Sequence, residues 1–204
     1  MQAAAPDGPT ALQLQLASGG ASRRPTALDA FKRARRNFQE GRRLDMRALA
    51  ADLGVNRVTL YRWVGSREQL LCEVLWSLTE RTVQKRLLEL EPTSDCSRLG
   101  PVLTEFVRDV KQNKGMHRFL DEEGELALRL LTVSSGGFQP RFIALVHALL
   151  VEDLEAGRLT SPIPLDDLAF TLVRIVESYV HRRIITGEEP DADGAGRVLN
   201  ALLR

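Results

Sequence analysis

The sequence predicts an all-α protein in which a small basic helical unit near the N-terminus runs on into a larger helical body. Three observations carry that expectation. Apolar residues recur every three to four positions through most of the chain, no convincing strand pattern appears, and Gly or Pro separates the periodic stretches. With 204 residues, 44% hydrophobic and 27% charged, the chain matches a globular protein able to bury a sizeable core. It lacks the low-hydrophobicity, high-net-charge signature of a disordered one.

Residues 1–24, rich in Ala, Gly, Pro, Ser and Gln, read as a flexible arm that ends in Arg23 and Arg24. Thr26 with Asp29 has the capping-box pattern, ahead of a helix with Leu28, Phe31, Ala34 and Phe38 at helical spacing that Gly41 stops. Asp45 can cap a second helix, with Met46, Leu49 and Ala50 inside and Gly54 at its end. Asn56 caps a short third helix, Arg57 to Val64, closed by Gly65. Ser66 with Gln69 then opens a long helix from about Arg67 to Leu90. After a turn-rich stretch, periodicity resumes at Val102 to Val110, Leu126 to Leu131, Phe142 to Leu154, Leu168 to Ile185 and Val198 to Leu203. Pro101, Gly115, Gly124, Gly136, Gly137, Pro162, Pro164 and Pro190 act as separators. The organisation expected is an arm at 1–24, a three-helix unit at 25–66 and a helical body at 67–204.

Charge divides along the same line. From Arg23 to Glu68 there are twelve basic and five acidic residues, a net of +7, so the remainder carries minus six within an overall +1. A basic segment on an acidic body fits a nucleic-acid face, although a charge run is also what a solvated surface looks like. Two cysteines, Cys72 and Cys96, build neither a disulfide framework nor a CxxC site, and no secretory signal is read at the N-terminus, so a cytoplasmic location is expected. No apolar run reaches the roughly 20 residues of a membrane span. The three histidines His117, His147 and His181 show no i, i+4 pairing, and neither HExxH nor GxSxG occurs. No catalytic residue, metal site or cofactor is therefore expected.

Three short helices with a tight turn between the second and third are the parts of a helix-turn-helix. Ala50, Leu53, Val55, Leu60 and Tyr61 supply a small core that leaves Arg57, Val58, Thr59 and Arg62 exposed on the third helix. These residue types can donate to guanine or phosphate and pack on a thymine methyl. The run from Leu44 to Leu71, with RALAADLGV, TLYRWV and SREQLL in one register across 28 residues, resembles the N-terminal domain of the TetR family of transcriptional regulators. The resemblance extends more loosely to Leu28 to Phe38, and beyond Leu71 it covers only length and helicity. It implies that Arg57, Val58 and Thr59 face the major groove of an operator, that Tyr61 and Arg67 contact phosphates, and that Arg47 touches DNA. Tyr61 can also be core, and Arg62 a solvated surface residue. Trp63 and Val64 stand where many relatives have His and then Phe, a departure from the family pattern.

A single recognition helix reads few base pairs, so a homodimer is expected, with Phe142 to Leu154 and Leu168 to Ile185 as candidate pairing helices. The resemblance also implies a small-molecule effector held in the body. Trp76, Phe106, Met116, Phe119, Leu128 and Phe142 are apolar candidates to line its pocket, or else solid core. His147, Arg174 and Glu177 are polar residues inside apolar runs, for which an effector or another buried group would be the partner. The stretch Ile175 to Asp191 resembles a branch of the family associated with quorum-signal degradation, which implies a lactone or fatty acyl effector. The reading is thus a ligand-released repressor. The alternative is a helical lipid-binding or interaction protein without sequence-specific DNA binding.

Overall fold

The computed structural model describes residues 25–90, 96–134 and 137–203, and among them there are eleven helices and no strand. The N-terminal arm expected at residues 1–24 lies outside the described residues.

The first three helices follow the capping signals. Helix α1 (Ala27–Gln39) begins at a capping box between Thr26 and Asp29, α2 (Met46–Asp52) is capped by Asp45, and α3 (Arg57–Val64) by Asn56. In each case a side-chain oxygen takes backbone N–H groups that the first helical turn leaves without partners. The turn between α2 and α3 depends on Gly54, which adopts φ 64. Its N–H donates to Ala51 O and that of Val55 to Ala50 O, the paired bonds of a Schellman C-cap. A side chain at this left-handed position would strain the turn. Ala30, Ala34, Phe38, Leu49, Ala50 and Leu60 are buried where the three helices meet.

Helix α4 (Arg67–Glu89) is separated from α3 by two residues, Gly65 and Ser66, and starts at the Ser66–Gln69 capping box. It packs on α1 and α3 at its start and then against α5 (Leu99–Gln112), α7 (Gly124–Thr132) and α8 (Phe138–Glu155). Helix α6 (Lys114–Glu122) bridges back to α1, and Phe38 meets Phe119 edge-on with ring centroids 6.1 Å apart. The body is completed by α9 (Leu165–Val180), α10 (Arg182–Thr186) and α11 (Ala192–Leu202), with α8 against α9 and α11 against α5.

Several boundaries differ from those the periodicity predicts. Gly115 and Gly124 were expected to separate helices, but they lie in the first turns of α6 and α7, where the next helix is already under way. Gly115 is in a helix for a packing reason: a Cβ there would collide with the Phe38 carbonyl oxygen, so only glycine lets α6 approach α1. Pro101 likewise sits in the first turn of α5, where its missing N–H has no intrahelical partner to lose. The segment Leu168 to Ile185 is broken at His181 into α9 and α10.

Helix α5 has no side-chain cap of its own. Asp153 from α8 replaces it, accepting from the Arg98 N–H, Ser97 Oγ and Arg158 Nε at 2.9, 2.7 and 2.9 Å. Burial alone would raise that carboxyl's pKa, but these hydrogen bonds outweigh it and hold Asp153 below the usual carboxylate range.

Candidate functional sites on the third helix and inside the body

Helix α3 presents its functional candidates outward. Arg57, Val58, Tyr61 and Arg62 are exposed, Val58 by 78% and Tyr61 by 40%, and Arg47 on α2 is exposed beside them in sequence order. Thr59 is half-buried, and its backbone N–H donates to Asn56 Oδ1 at 2.7 Å. A mostly exposed valine next to arginines has no folding role, since Leu60 alone on this helix is fully buried. Trp63 and Val64 are half-buried against the core.

Arg67 is placed differently from the other basic candidates. Its Nε donates to Leu44 O at 2.7 Å and its Nη2 lies 2.8 Å from Glu123, a nearly buried carboxylate that Arg43 and Arg118 also approach, at 3.6 and 4.0 Å. In this structure the guanidinium expected at a phosphate is turned inward, joining the start of α2 and the end of α6 to α4.

The body encloses a cavity of about 320 Å³ between α4, α5, α8 and α9. Leu75, Leu78, Phe106, Val110, Leu131, Phe138, Phe142, Val176 and Val180 give it apolar walls, with Asn113 and Met116 at the α5–α6 junction. Lys85 and Gln112, both exposed, mark its open side. Thr79, Glu177 and His181 are its buried polar residues. Burial pushes the Glu177 carboxyl up to about 7 against the opposing pull of Arg174, whose Nη1 lies 2.8 Å from Oε2 as an ion pair without hydrogen-bond alignment.

Of the pocket candidates named from sequence, Phe106, Met116, Phe142 and Glu177 line this cavity. The others do not. Trp76 packs its ring against Phe138 under the Arg141 guanidinium, Phe119 packs on Phe38, and Leu128 is half-buried on α7. His147 stands on the outer side of α8, 3.3 Å from Asp166, and Arg174 is partly exposed behind Glu177. Helical period alone does not say which apolar residues border a void and which border one another. His181, absent from that set of candidates, was recoverable in principle, because it lies i, i+4 from Glu177 and so shares its helix face. Among the described residues no group of His, Cys, Asp and Glu is placed to hold a metal ion, and no helix is long and apolar enough to cross a membrane.

A small exposed-arginine helix-turn-helix joined to a helical body with an internal cavity is the architecture of a ligand-responsive regulator of transcription. The match to known proteins makes the class definite: residues 96–204 fit the family described as tetracyclin repressor-like, C-terminal domain, and the chain belongs to the TetR family of transcriptional regulators. Among solved structures it is similar to the R. erythropolis transcriptional repressor QsdR, at 27% identity and a TM-score of 0.77 over 87% of this chain and 93% of that one. The multidrug binding protein EbrR (22% identity, TM-score 0.56, 87% and 94%) and the transcriptional regulator FadR from Bacillus subtilis (11%, 0.53, 87% and 99%) share the fold. No curated protein matches the sequence.

Proposed function

We propose that the protein is a repressor that binds a pseudo-palindromic operator as a homodimer and is released by a small, largely apolar effector. Residues 25–66 would form the DNA-reading unit and residues 67–204 the effector-binding and pairing body. The observation that carries this reading is the outward set Arg57, Val58, Tyr61 and Arg62, exposed on a helix fixed by a fully buried Leu60. Arg57, Val58 and Thr59 would read base edges, Tyr61, Arg62 and Arg47 would hold phosphates, and Arg67 would reach a phosphate only by giving up Glu123. Pairing would use α8 and α9, which leave Phe170 and Leu154 half exposed beside the small residues Ala144, Ala148 and Ser178. The effector would occupy the cavity, and the resemblance of the Ile175 to Asp191 stretch to the branch associated with quorum-signal degradation supports a lactone or fatty acyl compound.

Two connections would carry the signal. Helix α4 both lines the cavity and begins directly after α3. Asn113 and Met116, which also line it, flank Gly115, whose backbone abuts Phe38 of α1. An effector that fits only one arrangement of α4 and α6 would shift the spacing of the two reading units in a dimer.

The test is selection of bound sequences from a random duplex pool, run with the native chain and with Arg57→Ala. Two half-sites about 10 base pairs apart, or a multiple, recovered by the native chain only, are expected. A pool that stays unenriched at low salt rejects sequence-specific regulation.

A further inference from the structure

The reading of the cavity as the effector site leads to a statement about the chemistry that site selects, and the statement rests on that reading. Glu177, in the last turn of α9, and His181, the residue that ends that helix, stand one turn apart, 6% and 1% exposed, and both border the cavity. Oε1 of Glu177 and Nε2 of His181 have no hydrogen-bond partner, and Oε2 of Glu177 has only the unaligned ion pair with Arg174 at 2.8 Å. The contrast with Asp153 is direct: that carboxylate is buried as deeply and accepts from Ser97, Arg98 and Arg158. A buried polar atom without a partner is costly to the fold, so a pair of such residues on a cavity wall marks where the polar part of a ligand belongs.

The tautomer of His181 decides what that part must be. Its Nδ1 lies 2.9 Å from the backbone oxygen of Glu177, and a carbonyl only accepts, so the ring proton is on Nδ1. Burial pushes the imidazole's pKa below its ordinary value, which keeps the ring neutral. Nε2 is then a bare acceptor on a side chain that borders the cavity. Glu177 accepts as a carboxylate and both accepts and donates when protonated. On the open side the charges already have partners in the chain, Lys85 with Glu89 at 3.6 Å and Asp109 with Arg86.

We propose that the effector is a neutral, mainly apolar molecule carrying an N–H or O–H group that donates to Nε2 of His181, with the Glu177 carboxyl as its second polar contact. An effector whose head group only accepts, such as a simple ester or an unsubstituted lactone, would leave Nε2 unsatisfied and set oxygen against nitrogen lone pair, so within the proposed class the effector is a lactone or acyl compound that also bears an N–H or O–H.

The test is calorimetric titration of the full-length chain with N-methyloctanamide and methyl octanoate, near-isosteres that differ by one N–H against one oxygen. The amide is the harder of the two to take out of water, so a cavity without an acceptor favours the ester, whereas a site built to accept a hydrogen bond favours the amide. The native chain is expected to bind the amide about tenfold or more tightly than the ester. His181→Phe, which removes the acceptor, is expected to reverse that order, and Glu177→Gln, whose side chain supplies an N–H, to raise ester affinity severalfold. Equal or tighter binding of the ester by the native chain overturns the proposal while leaving the cavity as the binding site, and needs no variant to be folded. An amide preference that survives in folded His181→Phe overturns it as well. No heat and no thermal shift with either probe overturns both the proposal and the cavity reading.

Discussion

On α3 and at the cavity, uncommitted side chains stand in opposite surroundings. Arg57, Val58 and Arg62 are in water, where an arginine loses nothing by waiting for a partner, and Tyr61 is 40% exposed beside them. Glu177 and His181 are out of water, where Glu177 has only the Arg174 ion pair and Nε2 of His181 has no hydrogen-bond partner, an arrangement that costs stability. The first region can therefore change its specificity with little effect on stability, whereas in the second, binding and stability are linked. The comparison also separates two kinds of substitution: those that remove what holds a surface in place, and those that relieve what a cavity strains.

The largest effect is expected where the exposed face has its only fully buried support. Leu60→Ala removes a side chain at 0% exposure between α1, α2 and α3 and should lower unfolding stability by about 2–5 kcal/mol. Urea denaturation followed by far-UV dichroism measures it. A loss under about 1 kcal/mol would mean that the three helices close over the gap and that Leu60 is not what fixes the face.

At the cavity the corresponding substitution is stabilising, and pH reveals it. The folded-state pKa of Glu177, about 7, lies above its ordinary 4.5, so between those values the native state binds more protons than the unfolded state. Stability from this group is therefore fully present below pH 4.5 and lost as pH rises towards 7. Glu177→Gln removes the titration, so the variant should be the more stable at pH 8, with the gap narrowing by at most about 3 kcal/mol as pH falls to 5. The attraction of Arg174 for the Glu177 carboxylate is lost in the variant, but it is already contained in the raised value, where burial outweighs it. Parallel stability curves for the two proteins from pH 5 to 8 would show that burial does not hold the proton on Glu177.

The same contrast explains what could be read in advance. Thr26, Asp45, Asn56 and Ser66 each announce a helix start, because a cap is a local bond between a side chain and backbone two or three residues on. The outward residues of α3 follow from its phase once Leu60 is inside. A cavity has no such local signal. Phe119 and Phe142 are equally buried phenylalanines in helical register, and only the tertiary path of α1 and α6 makes one a packing partner of Phe38 and the other a wall. Gly115 was misread for the same reason, since its need for a missing Cβ comes from a helix 77 positions earlier in the chain.

Gly115 is also where the two regions can be uncoupled. Gly115→Ala forces α6 away from the Phe38 carbonyl, and overpacking of this kind costs about 1–3 kcal/mol. The loss should come with a weaker response of operator binding to the amide probe, read as the ratio of operator Kd with and without it. A full response with normal stability would leave α4 as the sole connection between cavity and reading unit.

The smallest effect sharpens the comparison on the exposed side. Asn56 Oδ1 accepts the Thr59 N–H at 2.7 Å and starts the helix that carries Arg57 and Val58, yet Asn56 itself is exposed. Asn56→Ala should cost about 1 kcal/mol of stability. Its effect on operator affinity is the informative quantity. A preformed first turn holds Arg57 and Val58 ready, so fraying it adds an ordering cost to binding, and operator Kd should rise severalfold even though the cap need touch no DNA. If Kd is unchanged while stability falls, the DNA itself orders the turn, and the readiness of that face would come from its partner.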